Sequence, residues 1–211
     1  MIVYGASFSP FVRKVLAFAA EKGVAVESKQ ADRAPGSEFM TASPFGKMPA
    51  LRDGEFTISD STAIVTYLEA LHPEPNLIPL EPKARARTIW YEEYADTILV
   101  SAGTKIVYNR VVSPRFYGRP GDLAAADEAQ QVELPPLLDY LEKIIPASGF
   151  LVEDRLTLAD IAVASPFATL ALSDCPIDDG RHPRIKAYVE DILARPSFAP
   201  LIAAEKAMFA A

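Results

Sequence analysis

Half of the 211 residues are hydrophobic and the formal net charge at pH 7 is −7. The apolar share supplies a sizeable core and excludes a disordered chain, no apolar run is long enough to span a bilayer, and the scattered basic residues argue against nucleic acid as a partner. One cysteine, Cys175, excludes an internal disulfide, and with only His72 and His182, each followed by proline, no metal site is expected.

In chain order, Ile2–Tyr4 reads as a strand, Pro10–Lys22 as a helix closed by Gly23, and Ala25–Lys29 as a second strand. A loop with Pro35-Gly36 leads to a short helical piece. Pro49–Arg52 and Phe56–Ile58, joined by Asp53-Gly54, then read as a hairpin. Ser61–Leu71 is a helix. The order βαβ, α, ββα predicts a small mixed sheet with helices on its faces. Residues 72–82 (HPEPNLIPLEP) hold four prolines without periodicity and read as a linker.

Beyond the linker only helices are predicted: Lys83–Tyr108, Leu123–Ile145 with Pro135-Pro136 bending or breaking it, Leu158–Leu172, Pro183–Ala194 and Ser197–Lys206. The expected organisation is therefore residues 1–75, a linker over 76–82, and an all-helical domain over 83–211. The N-terminus has no basic lead and no small-residue cleavage site, so it does not read as a signal peptide. A soluble, cytoplasmic protein of a reducing compartment is the expectation, with Cys175 a loop thiol.

Four local patterns bear on chemistry. Ser9-Pro10 places a hydroxyl at the N-terminus of the first helix, where the dipole favours an anion; a hydroxyl there can cap the helix or donate to a bound thiolate. Arg13 and Lys14 in the next turn add positive potential. Ser7 lies on the same turn, and Tyr4 lies near the strand end. Met48 precedes Pro49 and is therefore extended; were that bond cis, its backbone could pair with an extended peptide, and the sequence leaves cis and trans open. Asp60-Ser61 opens a helix. Its free amides suit a carboxylate and Asp60 suits an ammonium group, or Ser59 or Asp60 simply caps the helix with nothing bound. Thr157 and Asp160 form a capping box at the start of an apolar helix, with Leu156 and Ile161 in staple positions.

Together these patterns, S-P-F-x-x-[RK]-V, G-K-x-P-A-L, [DE]-S and T-x-A-D, occur in one order along essentially the whole chain. In that it resembles the cytosolic glutathione S-transferases, of a serine-type, bacterial-like kind. The resemblance implies a thioredoxin-like N-terminal domain, a mixed four-stranded sheet, followed by an all-helical C-terminal domain. It implies Ser9 as the donor to the glutathione sulfur, and Met48, before the family's cis-proline Pro49, as the partner of the cysteinyl backbone. Asp60 and Ser61 would hold the γ-glutamyl group, and Lys47 would approach the glycyl carboxylate.

The implied reaction is attack of a glutathione thiolate on a small hydrophobic electrophile held by the helical domain, in a homodimer acting in detoxification. Trp90, Tyr91, Tyr94, Tyr108, Phe116 and Tyr117 are candidates for the apolar wall, or for core. The alternatives are another glutathione-dependent enzyme (isomerase, ether-cleaving lyase or dehalogenase) and a non-catalytic transferase-like binding module.

Overall fold

The computed structural model describes residues 1–210 and divides into two compact units, Met1–Ile78 together with the chain from Arg195 onward, and Pro79–Ala194.

The first unit is built on four short strands, β1 (Ile2–Tyr4), β2 (Glu27–Lys29), β3 (Ala50–Asp53) and β4 (Phe56–Ser59), in the order β2-β1-β3-β4. β1 runs parallel to β2 and antiparallel to β3, which pairs antiparallel with β4. Three helices accompany them: α1 (Pro10–Glu21), α2 (Glu38–Ala42) and α3 (Ser61–Leu71). Strand residues alternate between faces. Tyr4 and Ala50 cluster with Phe39 and Ala42 of α2, so Val3 and Leu51, also fully buried, face the side covered by α1 and α3. β1 spans the expected Ile2–Tyr4, whereas β2 is shorter than the expected Ala25–Lys29.

Two expectations for residues 72–82 and the C-terminus differ from what is observed. The linker has no helix or strand before Pro82, yet Leu77 and Ile78 are buried and bound to the first unit. Glu69 of α3 accepts from the amides of Leu77 and Ile78 and from Asn76 Nδ2, while Lys22 Nζ reaches both Glu69 (2.7 Å) and the Pro75 carbonyl (2.7 Å). The last helix, Ala199–Ala210, lies outside the helical domain expected over residues 83–211; it packs on the first unit, its Glu205 buried against Arg13.

The second unit is helical. Its first helix runs unbroken over residues 82–117, longer than the predicted Lys83–Tyr108, with wider π-type turns at Tyr94–Leu99 and Tyr108–Val112. Residues 123–144 also form one continuous helix. Pro135-Pro136 does not break it: the ladder widens into π-type turns over Ala129–Glu133 just before the prolines, and so avoids the clash with the preceding turn. Leu158–Ala171 is buried on nearly all sides and starts at the predicted capping box, where Thr157 N–H donates to Asp160 Oδ2 (2.9 Å). No described helix is long and apolar enough to cross a membrane.

Candidate functional site

Three loops meet at one end of the sheet because of its register. Tyr4 pairs with Ala50, and Ala50 with Ser59, so the residues just beyond these positions are brought together: Gly5–Ser9 after β1, Lys47–Pro49 before β3, and Asp60–Ser61 after β4. Asp60 N–H donates to the Pro49 carbonyl at 3.2 Å. Gly5 has φ 137°, and a Cβ there would lie 2.6 Å from Val12 Cγ2 and 3.4 Å from Met48 Cβ. The positive φ and the close approach of Val12 from α1 together favour glycine at this turn. The six residues singled out in the sequence, Ser9, Lys47, Met48, Pro49, Asp60 and Ser61, thus lie on neighbouring loops.

Ser9 is the N-cap of α1 by backbone geometry (φ −68°, ψ 126°), yet its hydroxyl caps nothing. It is half-buried and makes no side-chain hydrogen bond among the described residues, and no acidic residue occupies the first turn. A free hydroxyl therefore sits at the positive end of a twelve-residue helix. Arg13 does not add net positive charge there as expected, because its guanidinium is buried and paired with Glu205. Tyr4 is committed elsewhere: it is 2% exposed and its hydroxyl donates to Glu38 Oε2 at 3.1 Å. Burial, and then that hydrogen bond, raise its pKa, so it stays protonated. Ser7 is half-buried on the turn itself.

The Met48–Pro49 bond is cis. The β1–β3 ladder starts only at Ala50, and among the described residues Met48 makes no hydrogen bond. Its backbone donor and acceptor are thus available to an extended ligand. The loop before it is pinned by Ser43 Oγ, which donates to the Lys47 carbonyl at 2.8 Å, and leaves the Lys47 side chain exposed. Beside this loop stands a residue that sequence reasoning missed. Arg33 Nη1 is 3.0 Å from where a Cβ on Gly46 would be, and its guanidinium lies 5.9 Å from the Phe39 ring centre. Among the described residues no carboxylate pairs with Arg33. Its only sequence cue was a cation before the Pro35-Gly36 turn.

Asp60 caps α3: its Oδ1 accepts from the amides of Thr62 (2.9 Å) and Ala63 (3.1 Å). Its backbone is strained, at φ 89° and ψ 130°, a region that side-chain-bearing residues rarely occupy and that gathers at functional sites. The carboxylate is exposed, and Oδ2 carries no hydrogen bond among the described residues. Ser61 is 4% exposed at the first position of the helix.

Elsewhere, Cys175 follows the Leu158–Ala171 helix as a buried thiol whose pKa burial pushes up, which suits no nucleophilic role. Tyr94 is core, its hydroxyl on the Leu137 carbonyl at 2.9 Å, whereas Tyr108, Phe116 and Tyr117 are exposed. A cleft of about 450 Å³ opens beside α2, lined by Tyr4, Lys29, Gln30, Ser37, Glu38 and Phe39 among others; none of the six predicted residues lines it.

Comparison with known proteins gives one answer. The family model described as "Glutathione S-transferase, N-terminal domain" matches residues 3–76, and "Glutathione S-transferase, C-terminal domain" matches residues 109–205. Glutathione S-transferase 3 of Zea mays is 31% identical over 209 residues, spanning 96% of this chain and 93% of the maize protein. The structure of a glutathione S-transferase from Rhodospirillum rubrum superposes with a TM-score of 0.86 at 27% identity, over 95% of this chain and 90% of that one. A glutathione S-transferase-I bound with the ligand lactoylglutathione gives a TM-score of 0.82 at 25% identity, over 96% and 98%.

Proposed function

This chain belongs to the glutathione S-transferase family, and on that footing we propose that glutathione lies extended across the open end of the sheet with its sulfur at Ser9. In this reading the Ser9 hydroxyl donates a hydrogen bond to the thiolate, which makes the protein a serine-type enzyme. Met48 pairs its free backbone groups with the cysteinyl unit. Asp60 Oδ2 takes the γ-glutamyl ammonium while Ser61 and the start of α3 take its carboxylate. Lys47 and Arg33 face the glycyl carboxylate. The observation that carries the reading is the uncommitted Ser9 hydroxyl at the N-terminus of α1, on the turn that begins at Gly5 beside the Met48 side chain.

The chemistry follows from the thiol. Lowering its pKa from about 8.5 towards 7 raises the thiolate fraction at neutral pH roughly tenfold. The thiol proton passes to solvent, and the sulfur lone pair forms a bond to an electrophilic carbon as the leaving group departs or the electron pair moves into the acceptor. Ser9 stays protonated throughout: it stabilises the anion and is not itself a nucleophile. The electrophile is a small hydrophobic molecule.

The protein is cytoplasmic in this reading and forms a homodimer, for which Phe45, 90% exposed, offers an unpartnered aromatic side chain. Ser9→Ala tests the core of the proposal. A hydrogen bond to a charged group is worth about 1.5–3 kcal/mol, so turnover should fall roughly ten- to a hundredfold. Glutathione affinity, measured by calorimetry, should stay within a few-fold. Unchanged turnover would overturn the assignment of Ser9.

A further inference from the structure

The turn that carries Ser9 is gripped by the far end of the chain. Arg13, one helical turn after Ser9, donates its backbone N–H to the Ser9 carbonyl at 2.9 Å. Its Nη2 reaches the Phe8 carbonyl at 3.4 Å, so one residue touches the backbone on both sides of the Phe8–Ser9 bond. That guanidinium is held in turn by Glu205 of the C-terminal helix, Nε to Oε1 at 3.1 Å and Nη2 to Oε2 at 2.6 Å. The two side chains are 0% and 2% exposed, and such a two-point buried pair fixes orientation as well as charge. Four residues further along, Phe209 lays its ring on that of Phe8, centroids 4.8 Å apart.

A second clip holds the same segment at the other end of α1. Arg195 donates to both Glu21 oxygens (2.8 and 3.0 Å) and Ser197 Oγ donates to Oε1 (2.6 Å). Residues 195–210 therefore clasp α1 at both ends, and the end that bears Ser9 is held by charge and by a ring contact together.

We propose that Arg13, Glu205 and Phe209 are positioning residues for thiol activation, with the C-terminal helix setting where the Ser9 hydroxyl points. The physical reason is that the hydroxyl makes no cap bond of its own, so its position follows the backbone of residues 8 and 9. A shift of about 1 Å in a reacting group can cost a hundredfold in rate. The inference rests on the reading of Ser9 as the sulfur's donor.

Two variants test it on the full chain. Arg13→Lys keeps the charge opposite Glu205 but lacks the planar fork that reaches both the carboxylate and the Phe8 carbonyl. Phe209→Ala removes the ring contact with Phe8 and keeps both residues of the buried ion pair, so it keeps the test open should Arg13→Lys fold poorly. Each is compared with Ser9→Ala by thermal melting, by glutathione affinity in calorimetry, and by the ultraviolet thiolate signature of bound glutathione at neutral pH.

The expected result is folded protein with glutathione affinity within about twofold, while the thiolate signature and kcat fall together by about five- to tenfold. Phe209→Leu, which restores an apolar side chain, recovers most of the loss. Folded variants with wild-type signature and kcat overturn the proposal, as does a loss of affinity in parallel with the signature. If Ser9→Ala lowers the signature and these variants do not, only the clamp fails. If Ser9→Ala leaves it intact, the Ser9 reading fails and the clamp with it.

Discussion

Replacing Asp60 separates what the residue does for the fold from what it does for the ligand. Its φ of 89° and ψ of 130° lie where a side chain costs about 1–3 kcal/mol, a strain that glycine does not carry. Asp60→Gly also removes the cap that Oδ1 makes with Thr62 and Ala63, but glycine at an N-cap loses only a few tenths of a kcal/mol. The greater freedom of glycine in the unfolded chain costs about 0.4–1 kcal/mol. Relief of strain is the largest of the three, and the variant should be more stable by about 1 kcal/mol, a rise in melting temperature of roughly 2–4 °C for a chain of this size.

The ligand responds in the opposite direction. Loss of a charged hydrogen-bond acceptor for the γ-glutamyl ammonium is worth about 1.5–3 kcal/mol, or roughly ten- to a hundredfold in the dissociation constant for glutathione. Asp60→Asn is the control. It can keep the cap and tolerates positive φ, so its stability should stay within about 0.5 kcal/mol of wild type while affinity still falls about tenfold. Differential scanning fluorimetry and titration calorimetry read both quantities. An Asp60→Gly protein that melts below wild type would refute the strain argument, and wild-type affinity in either variant would refute the ammonium role.

Three further outcomes follow from other parts of the structure. Tyr4→Phe removes the hydroxyl bonded to Glu38, so stability should drop by about 1 kcal/mol while turnover with a generic electrophile stays within about twofold. A large loss of turnover would return Tyr4 to the site. Gly121→Ala would put a Cβ 1.8 Å from the Asn109 carbonyl oxygen, so the loop has to move; a loss of about 1–3 kcal/mol in urea unfolding is expected, and an unchanged midpoint would refute the close approach. At Glu21 burial alone raises the carboxyl pKa, but hydrogen bonds from Arg195 and Ser197 outweigh it and the net shift is downward. A depressed folded-state value means the stabilisation is complete above the ordinary pKa of 4.5 and is lost as the pH falls through the lower folded value. Glu21→Gln should therefore show a shallower fall in melting temperature than wild type between about pH 5 and pH 3, and parallel curves would count against the clip.

The local signals were legible because each depends on neighbours a few residues away. Ser9-Pro10 starts α1, Asp53-Gly54 turns the hairpin, Asp60 caps α3, and Thr157 with Asp160 opens the buried helix; all were readable as caps and turns in the linear chain. The length of the 82–117 helix was not, because its continuation through wider turns past Tyr108 has no propensity signature. Nor did four prolines over residues 72–82 disclose that Leu77 and Ile78 are buried, since the groups that hold that segment lie elsewhere, Glu69 on α3 and Lys22 just past the end of α1.

The candidate site divides along the same line. Its residue types and their order along the chain were set by sequence alone, down to a hydroxyl at one helix start and a carboxylate at another. Their convergence belongs to the sheet: only the register of Tyr4 with Ala50 and of Ala50 with Ser59 brings residue 9, residue 48 and residue 60 to one end. Arg33 beside Gly46, and Glu205 against Arg13 across 192 positions, are tertiary decisions too. Caps and turns are encoded in backbone preferences a few residues wide, whereas a buried ion pair exists only where packing removes both partners from water at once.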